Sequence, residues 1–153
     1  MDSRWLTFYR GLGPDSEGRY IHEILAWDDE KLEAVHDYIQ WLFPLPEASM
    51  FNADAPLLTE ADRAAAPSIR ANLLAAYQRM LLFYGLTPDT AANPKPWVCQ
   101  ADHNHLRLTR ILRSLRLLGL PEEASELYAA ISQYNDAFPA RTKQFWRNAM
   151  SGD

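Results

Sequence analysis

Between Asp102 and Gly119 the chain sets Leu108, Ile111, Leu112, Leu115 and Leu118 three and four residues apart. On a helical wheel these five fill an arc of about 120°, which a strand cannot reproduce. Asp102 stands before the run as an N-cap and Gly119 after it as a terminator. The same grammar recurs along the sequence. Ser3 opens a short helix carrying Trp5, Phe8 and Tyr9 and closed by Gly11. A second helix is expected over 28–43, with Leu32, Val35, Ile39, Leu42 and Phe43 on one face and a stop at Pro44, reinforced by Pro46. Thr59 begins a short one with the pattern T-x-x-D. Pro67 precedes a long one over 68–84 whose inner face is Ile69, Leu73, Leu74, Tyr77, Met80, Leu81 and Tyr84. Pro121 opens another with Leu127, Tyr128 and Ile131 inward, and the last follows Pro139 with Phe145, Trp146, Ala149 and Met150. The segment 20–25 is not decided by its pattern. With Leu and Ala abundant and β-branched residues scarce, the expectation is an all-α chain of six or seven helices.

With 153 residues, 48% hydrophobic and 23% charged, one compact domain over 1–153 is expected, large enough to bury a single core. One cysteine excludes an internal disulfide, so Cys99 is a small buried hydrophobe or a lone thiol. No apolar run is long enough to span a bilayer, and the start MDSRWLTFYRG has no signal-peptide core. A cytoplasmic location is expected. Residues 1–62 hold 13 acids and 4 bases, a balance of −9, whereas residues 63–153 hold 7 acids and 11 bases, a balance of +4. Either the two halves attract one another, or the second offers a basic surface to an anionic ligand. The net charge of −5 argues against strong non-specific binding to nucleic acid.

Two loops matter for function. Residues 44–58 contain Leu45, Met50, Phe51, Leu57 and Leu58. That content is too apolar for a solvated linker, so a long ordered loop lying on the body of the fold is expected after the second helix. Residues 86–101, with three prolines, are the least regular stretch and the best candidate for a binding loop. Arg107, Arg110, Arg113 and Arg116 lie outside the leucine arc and ring the polar side of their helix. They form either a solvated face or a carboxylate- or phosphate-recognising one, with Arg107 and Arg110 nearest the irregular loop. His103 and His105 sit about 200° apart on a helix and cannot share a metal unless the segment is unwound, and C-x3-H-x-H with Cys99 matches no zinc spacing. His36 is expected at the edge of a core face. No nucleophile elbow and no glycine-rich phosphate loop occurs, so neither an enzyme nor a cofactor is indicated.

The segment Leu32–Asp62 reads LEAVHDYIQWLFPLPEASMFNADAPLLTEAD. It resembles the conserved N-terminal domain of the opioid growth factor receptor family, whose pattern is L-E-x-x-H-x-Y-I-Q-W-L-F-P followed by S-x-F-N and A-P-x-L. The blocks MLLFYGL (Met80–Leu86) and HNHLRLTRILRSLRLLGL (His103–Leu120) and the opening W-x-x-F-Y-x-G also fit. The resemblance covers about 3–135. It implies an all-helical, peptide-binding module, since animal members are receptors for the pentapeptide Met-enkephalin, acting at the nucleus and its membranes to restrain proliferation. The chain is expected to be a stand-alone copy of the domain, with a bacterial origin as one reading. It is expected to lack the long basic and acidic tail of the animal receptors.

Within these motifs, His36, Gln40, Asn52, His103, Asn104 and Thr109 are polar residues among core-forming ones, and each demands a partner. They form either a buried network that locks the 44–58 loop or part of a ligand groove. In the groove reading the wall is Tyr38, Trp41 and Phe43. Arg107 or Arg110 takes a carboxylate and Asp37 an amine, which suits a short peptide or a small anionic ligand. Trp41 points away from the core stripe of its helix, so it is either packed on both sides or displayed, with central packing the preferred reading. The candidate site is thus His36, Asp37, Tyr38, Gln40, Trp41, Asn52, His103, Asn104, Arg107 and Arg110. The rival readings are an interaction module using the arginine face and an enzyme using His36 or His103 as acid–base.

Overall fold

The computed structural model describes residues 1–87 and 94–152. They form two compact units, residues 1–79 and 80–153. Among the described residues the regular structure is helical, with one isolated parallel bridge between Leu45 and Leu57. The all-α class holds.

In the first unit, α1 (Arg4–Tyr9) starts where Ser3 Oγ accepts the Leu6 amide at 3.1 Å. The same hydroxyl donates to Asp62 Oδ1 at 2.6 Å, and Asp62 is 2% exposed. Asp62 also completes the capping box of α5 (Glu60–Ala65): Thr59 Oγ1 accepts the Asp62 amide and Asp62 Oδ2 accepts the Thr59 amide, both at 3.1 Å. One carboxylate therefore anchors two helix starts. The undecided segment is α2 (Ile21–Leu25).

The helix expected over 28–43 is in fact two, α3 (Asp29–Ala34) and α4 (Ile39–Leu42). No glycine or proline separates them. The break is held by side chains instead. Tyr38 Oη donates to the Leu32 carbonyl at 2.8 Å, taking up a carbonyl at the end of α3. A helix that is interrupted leaves carbonyls unpaired, and each one buried must find a donor elsewhere.

A 3-10 turn (Ala66–Ile69) runs into α6 (Arg70–Tyr84). Residues 70–79 of this helix belong to the first unit and 80–84 to the second. In the first unit Arg79 Nη2 donates to the Trp27 carbonyl and to Asp29 Oδ1, each at 2.8 Å, and Asn72 Nδ2 donates to the Tyr9 carbonyl at 2.7 Å. In the second unit, α8 (Pro121–Ser132) and α9 (Ala140–Met150) pack on α7 (His103–Leu117). Leu108, Ile111, Leu112 and Leu115 of the arc are fully buried between them. Gly119 ends α7 at φ +82°, a left-handed turn that places the Leu120 amide 2.8 Å from the Leu115 carbonyl.

Candidate functional site

The motif residues of the first unit gather around the break between α3 and α4. Two of its carbonyls receive amide side chains. Gln40 Nε2 donates to the His36 carbonyl at 3.4 Å, and Asn52 Nδ2 donates to the Asp37 carbonyl at 3.3 Å. Asn52 Nδ2 also lies 3.3 Å from Gln40 Oε1, so Asn52 joins the 44–58 loop to both the break and α4. Its own Oδ1 accepts the Asp54 amide at 3.0 Å, and its carbonyl accepts the Ala55 amide at 3.2 Å. The bridge at Leu45 and Leu57, with the Leu58 amide 2.9 Å from the Leu45 carbonyl, closes the base of this loop.

The aromatic members lie deeper. Tyr38, Phe43 and Trp41 are 0%, 0% and 2% exposed. The Trp41 ring meets Phe8 edge-on at 5.2 Å, its carbonyl accepts Trp5 Nε1 at 2.9 Å, and the Leu42 carbonyl accepts Tyr9 Oη at 2.9 Å. These rings pack α4 against α1, and the guanidinium of Arg4 stands over Trp41 at 5.7 Å. Burial pushes the Tyr9 phenol far above its ordinary pKa of 10.0.

Asp37 is the charged edge of the group. Arg19 Nη1 pairs with Asp37 Oδ1 at 2.9 Å while its Nε and Nη2 hold Asp15 Oδ2 at 2.8 Å. Asp15, 1% exposed, also accepts the Glu17 and Arg19 amides at 2.9 Å. Burial alone would lower the pKa of Arg19, but hydrogen bonds and charge from Asp15 and Asp37 raise it above the ordinary value. His36 is exposed and lies in the break, not on a helix edge as expected.

The apolar loop departs from expectation. Leu58 is buried and Leu45 half-buried, but Met50, Phe51 and Leu57 are 92%, 75% and 53% exposed. Phe51 is held out next to the residue that pins the loop, and its amide is bonded to Ser49 Oγ at 3.1 Å. Sequence reasoning placed these side chains on the body of the fold because it weighed their hydrophobicity and not the polar anchor at Asn52.

In the second unit, Asn104 is 3% exposed, and its Oδ1 accepts Tyr84 Oη at 3.2 Å and Arg107 Nη1 at 3.3 Å. Arg107 was expected on the polar side of α7 but is 5% exposed, because α7 is covered well beyond its leucine arc. Arg110 and Arg113 are half-buried, and Arg116 clasps the Ala149 and Gly152 carbonyls at 2.7 Å. His103 is exposed, with Nε2 3.4 Å from Asn104 Nδ2. Thr109 Oγ1 bonds the His105 carbonyl at 3.0 Å within the helix.

His105 was not expected to matter and organises this unit. Its Nε2 donates to the Trp97 carbonyl at 2.7 Å, its carbonyl accepts Trp146 Nε1 at 3.1 Å, and its ring meets Phe138 and Trp146 edge-on. Position 105 lies one turn before Leu108, which is the signal that places it inward. Phe145, expected inward with Trp146, is 41% exposed. Cys99 is half-buried with Sγ 3.3 Å from the Ala101 carbonyl. Residues 88–93 of the expected binding loop lie outside the described residues.

Residues 1–134 match the family model described as the opioid growth factor receptor conserved region. The chain is 40% identical over 140 residues to opioid growth factor receptor-like protein 1 of Mus musculus, covering 80% of this chain and 30% of that protein. It is 37% identical over 134 residues to the opioid growth factor receptor of Rattus norvegicus, covering 75% and 23%, and 36% identical over 136 residues to that of Homo sapiens, covering 78% and 20%. It spans less than a third of the length of these relatives. No solved structure matches. No helix among the described residues is long and apolar enough to cross a membrane.

Proposed function

The chain belongs to the opioid growth factor receptor family, and from that premise we propose that it is a non-enzymatic ligand-binding domain whose ligand is a short peptide. The observation that carries this reading is the braced loop. Met50 and Phe51 stand in solvent on a segment that Asn52 ties to Asp37 and Gln40. Exposing two large apolar side chains gains nothing for folding, so a rigidly presented pair marks a recognition surface. An aromatic anchor held in place costs little ordering entropy when a partner covers it.

In this reading the buried motif residues (Tyr38, Gln40 and Trp41 in the first unit, Asn104 and Arg107 in the second) hold the shape. The accessible ones beside the loop, His36, Asp37 and Asn52, bear contact. Asp37 keeps part of its carboxylate in solvent, its side chain being 42% exposed, and in this reading it takes a ligand amine. The family resemblance implies the first probe, the pentapeptide Met-enkephalin.

Titration calorimetry with Met-enkephalin, and then with short peptides selected from a displayed random library, tests the reading. The expected result is a saturable binder whose affinity falls at least about tenfold on Phe51→Ser, the loss of one buried aromatic anchor. Failure of the library to enrich any peptide on folded protein, or peptides indifferent to Phe51→Ser, contradicts it.

A further inference from the structure

The second unit contains an open cleft of about 290 Å³ where the first half of α7 meets the start of α9. It is lined by His105, Leu106, Thr109, Arg141, Thr142 and Phe145. Leu106 and Phe145 are 52% and 41% exposed, so the cleft has two apolar walls facing water. The guanidinium of Arg141 sits over the Phe145 ring at 5.5 Å and has no carboxylate partner among the described residues. A cation parked on an aromatic face retains its hydrogen-bond donors for a planar anion.

A second polar group points the same way. His105 is 6% exposed and lines the cleft. The Trp97 carbonyl it touches can only accept, so Nε2 carries the hydrogen, and in the neutral ring Nδ1 is an acceptor. Nδ1 has no partner among the described residues, whereas Thr109 Oγ1 is committed to the His105 carbonyl. The cleft thus offers a free fork donor, an imidazole acceptor and two apolar walls. Asp102 lines it too, with Oδ1 taken by the Asn104 amide at 2.8 Å.

We infer that this cleft binds a monocarboxylate bearing an apolar side chain and an adjacent N–H, the free C-terminal residue of a peptide. The carboxylate pairs with Arg141, the side chain lies between Leu106 and Phe145, and the N–H donates to His105. The site lies in the second unit, independent of the loop that carries Phe51. Part of it, α9, falls after residue 134, where the family match ends.

Amide NMR titration with N-acetyl-L-phenylalanine, and with its carboxamide, tests the inference. The expected result is saturable shifts at the Leu106, Thr142 and Phe145 amides, with about tenfold weaker binding for the carboxamide, because a charge-assisted bidentate pair is lost. Arg141→Gln is expected to weaken the acid by about the same factor, and Phe145→Ser to weaken both compounds. Phe51→Ser should change neither, which separates this site from the loop. Shifts absent from those amides, equal binding of acid and carboxamide, or acid binding unchanged in Arg141→Gln would overturn it.

Discussion

Asn52 and Gln40 bond side chain to side chain at 3.3 Å across twelve residues of chain, one on a loop and the other 4% exposed on a helix. Each amide also donates to a carbonyl of the break between α3 and α4, so removing either takes a side-chain donor from the break. Gln40→Leu keeps the volume and deletes both interactions. It is expected to lower unfolding free energy by about 1–3 kcal/mol, the cost of stranding buried polar groups. Urea denaturation at constant m-value checks it.

Phe51→Ser and Trp41→Ala should part company. Phe51 is 75% exposed and Trp41 2% exposed. The surface change is expected to move stability by no more than about 0.5 kcal/mol. The core change removes the ring that packs on Phe8 and should cost about 3–5 kcal/mol. Paired denaturation curves decide between a displayed and a buried role for each ring.

Tyr9 carries a pH signature. Its phenol is fully buried and donates to the Leu42 carbonyl, so its folded pKa lies far above the unfolded value of 10.0. The stabilisation is intact below pH 10.0 and is lost as pH rises beyond it, because the unfolded chain ionises and the folded one does not. Above that point the slope from this group is about −1.4 kcal/mol per pH unit. Tyr9→Phe removes this slope while lowering stability at neutral pH. Thermal melts from pH 7 to 11 in both proteins test it.

Asp15→Asn probes the ion pair behind Asp37. Asp15 accepts two amides and the Arg19 guanidinium, and its side chain is fully buried. The neutral amide cannot satisfy all three donors, so a loss of about 2–3 kcal/mol is expected. Arg19 would then lean on Asp37 alone, and an amine ligand should bind Asp37 more weakly. Chemical denaturation measures the first effect and the peptide titration the second.

Helix starts were legible because their chemistry is local. Ser3, Thr59 with Asp62, and Asp102 cap the helices they were expected to cap. The break at 35–38 was not legible, since its donors come from Tyr38 and from Asn52 on a distant loop, and nothing in LEAVHDYIQW stops a helix. Helical periodicity also misjudged Arg107, which the wheel put in water, and Phe145, which it put in the core. A wheel assigns one buried face, and α7 is packed on more than one. Of the polar motif residues expected to need partners, Gln40, Asn52, Asn104 and Thr109 have them, and His36 and His103 are exposed. The exposure of Met50 and Phe51 depends on tertiary anchoring that no local pattern records.

Hydrogen exchange over residues 49–55 in wild type and Asn52→Ala tests the brace most directly. The account predicts about tenfold faster exchange in that loop, the loss of one to two kcal/mol of local protection, with unchanged protection in residues 73–77 of α6. Loop exchange equal to wild type, or a rise shared by the whole first unit, would contradict it.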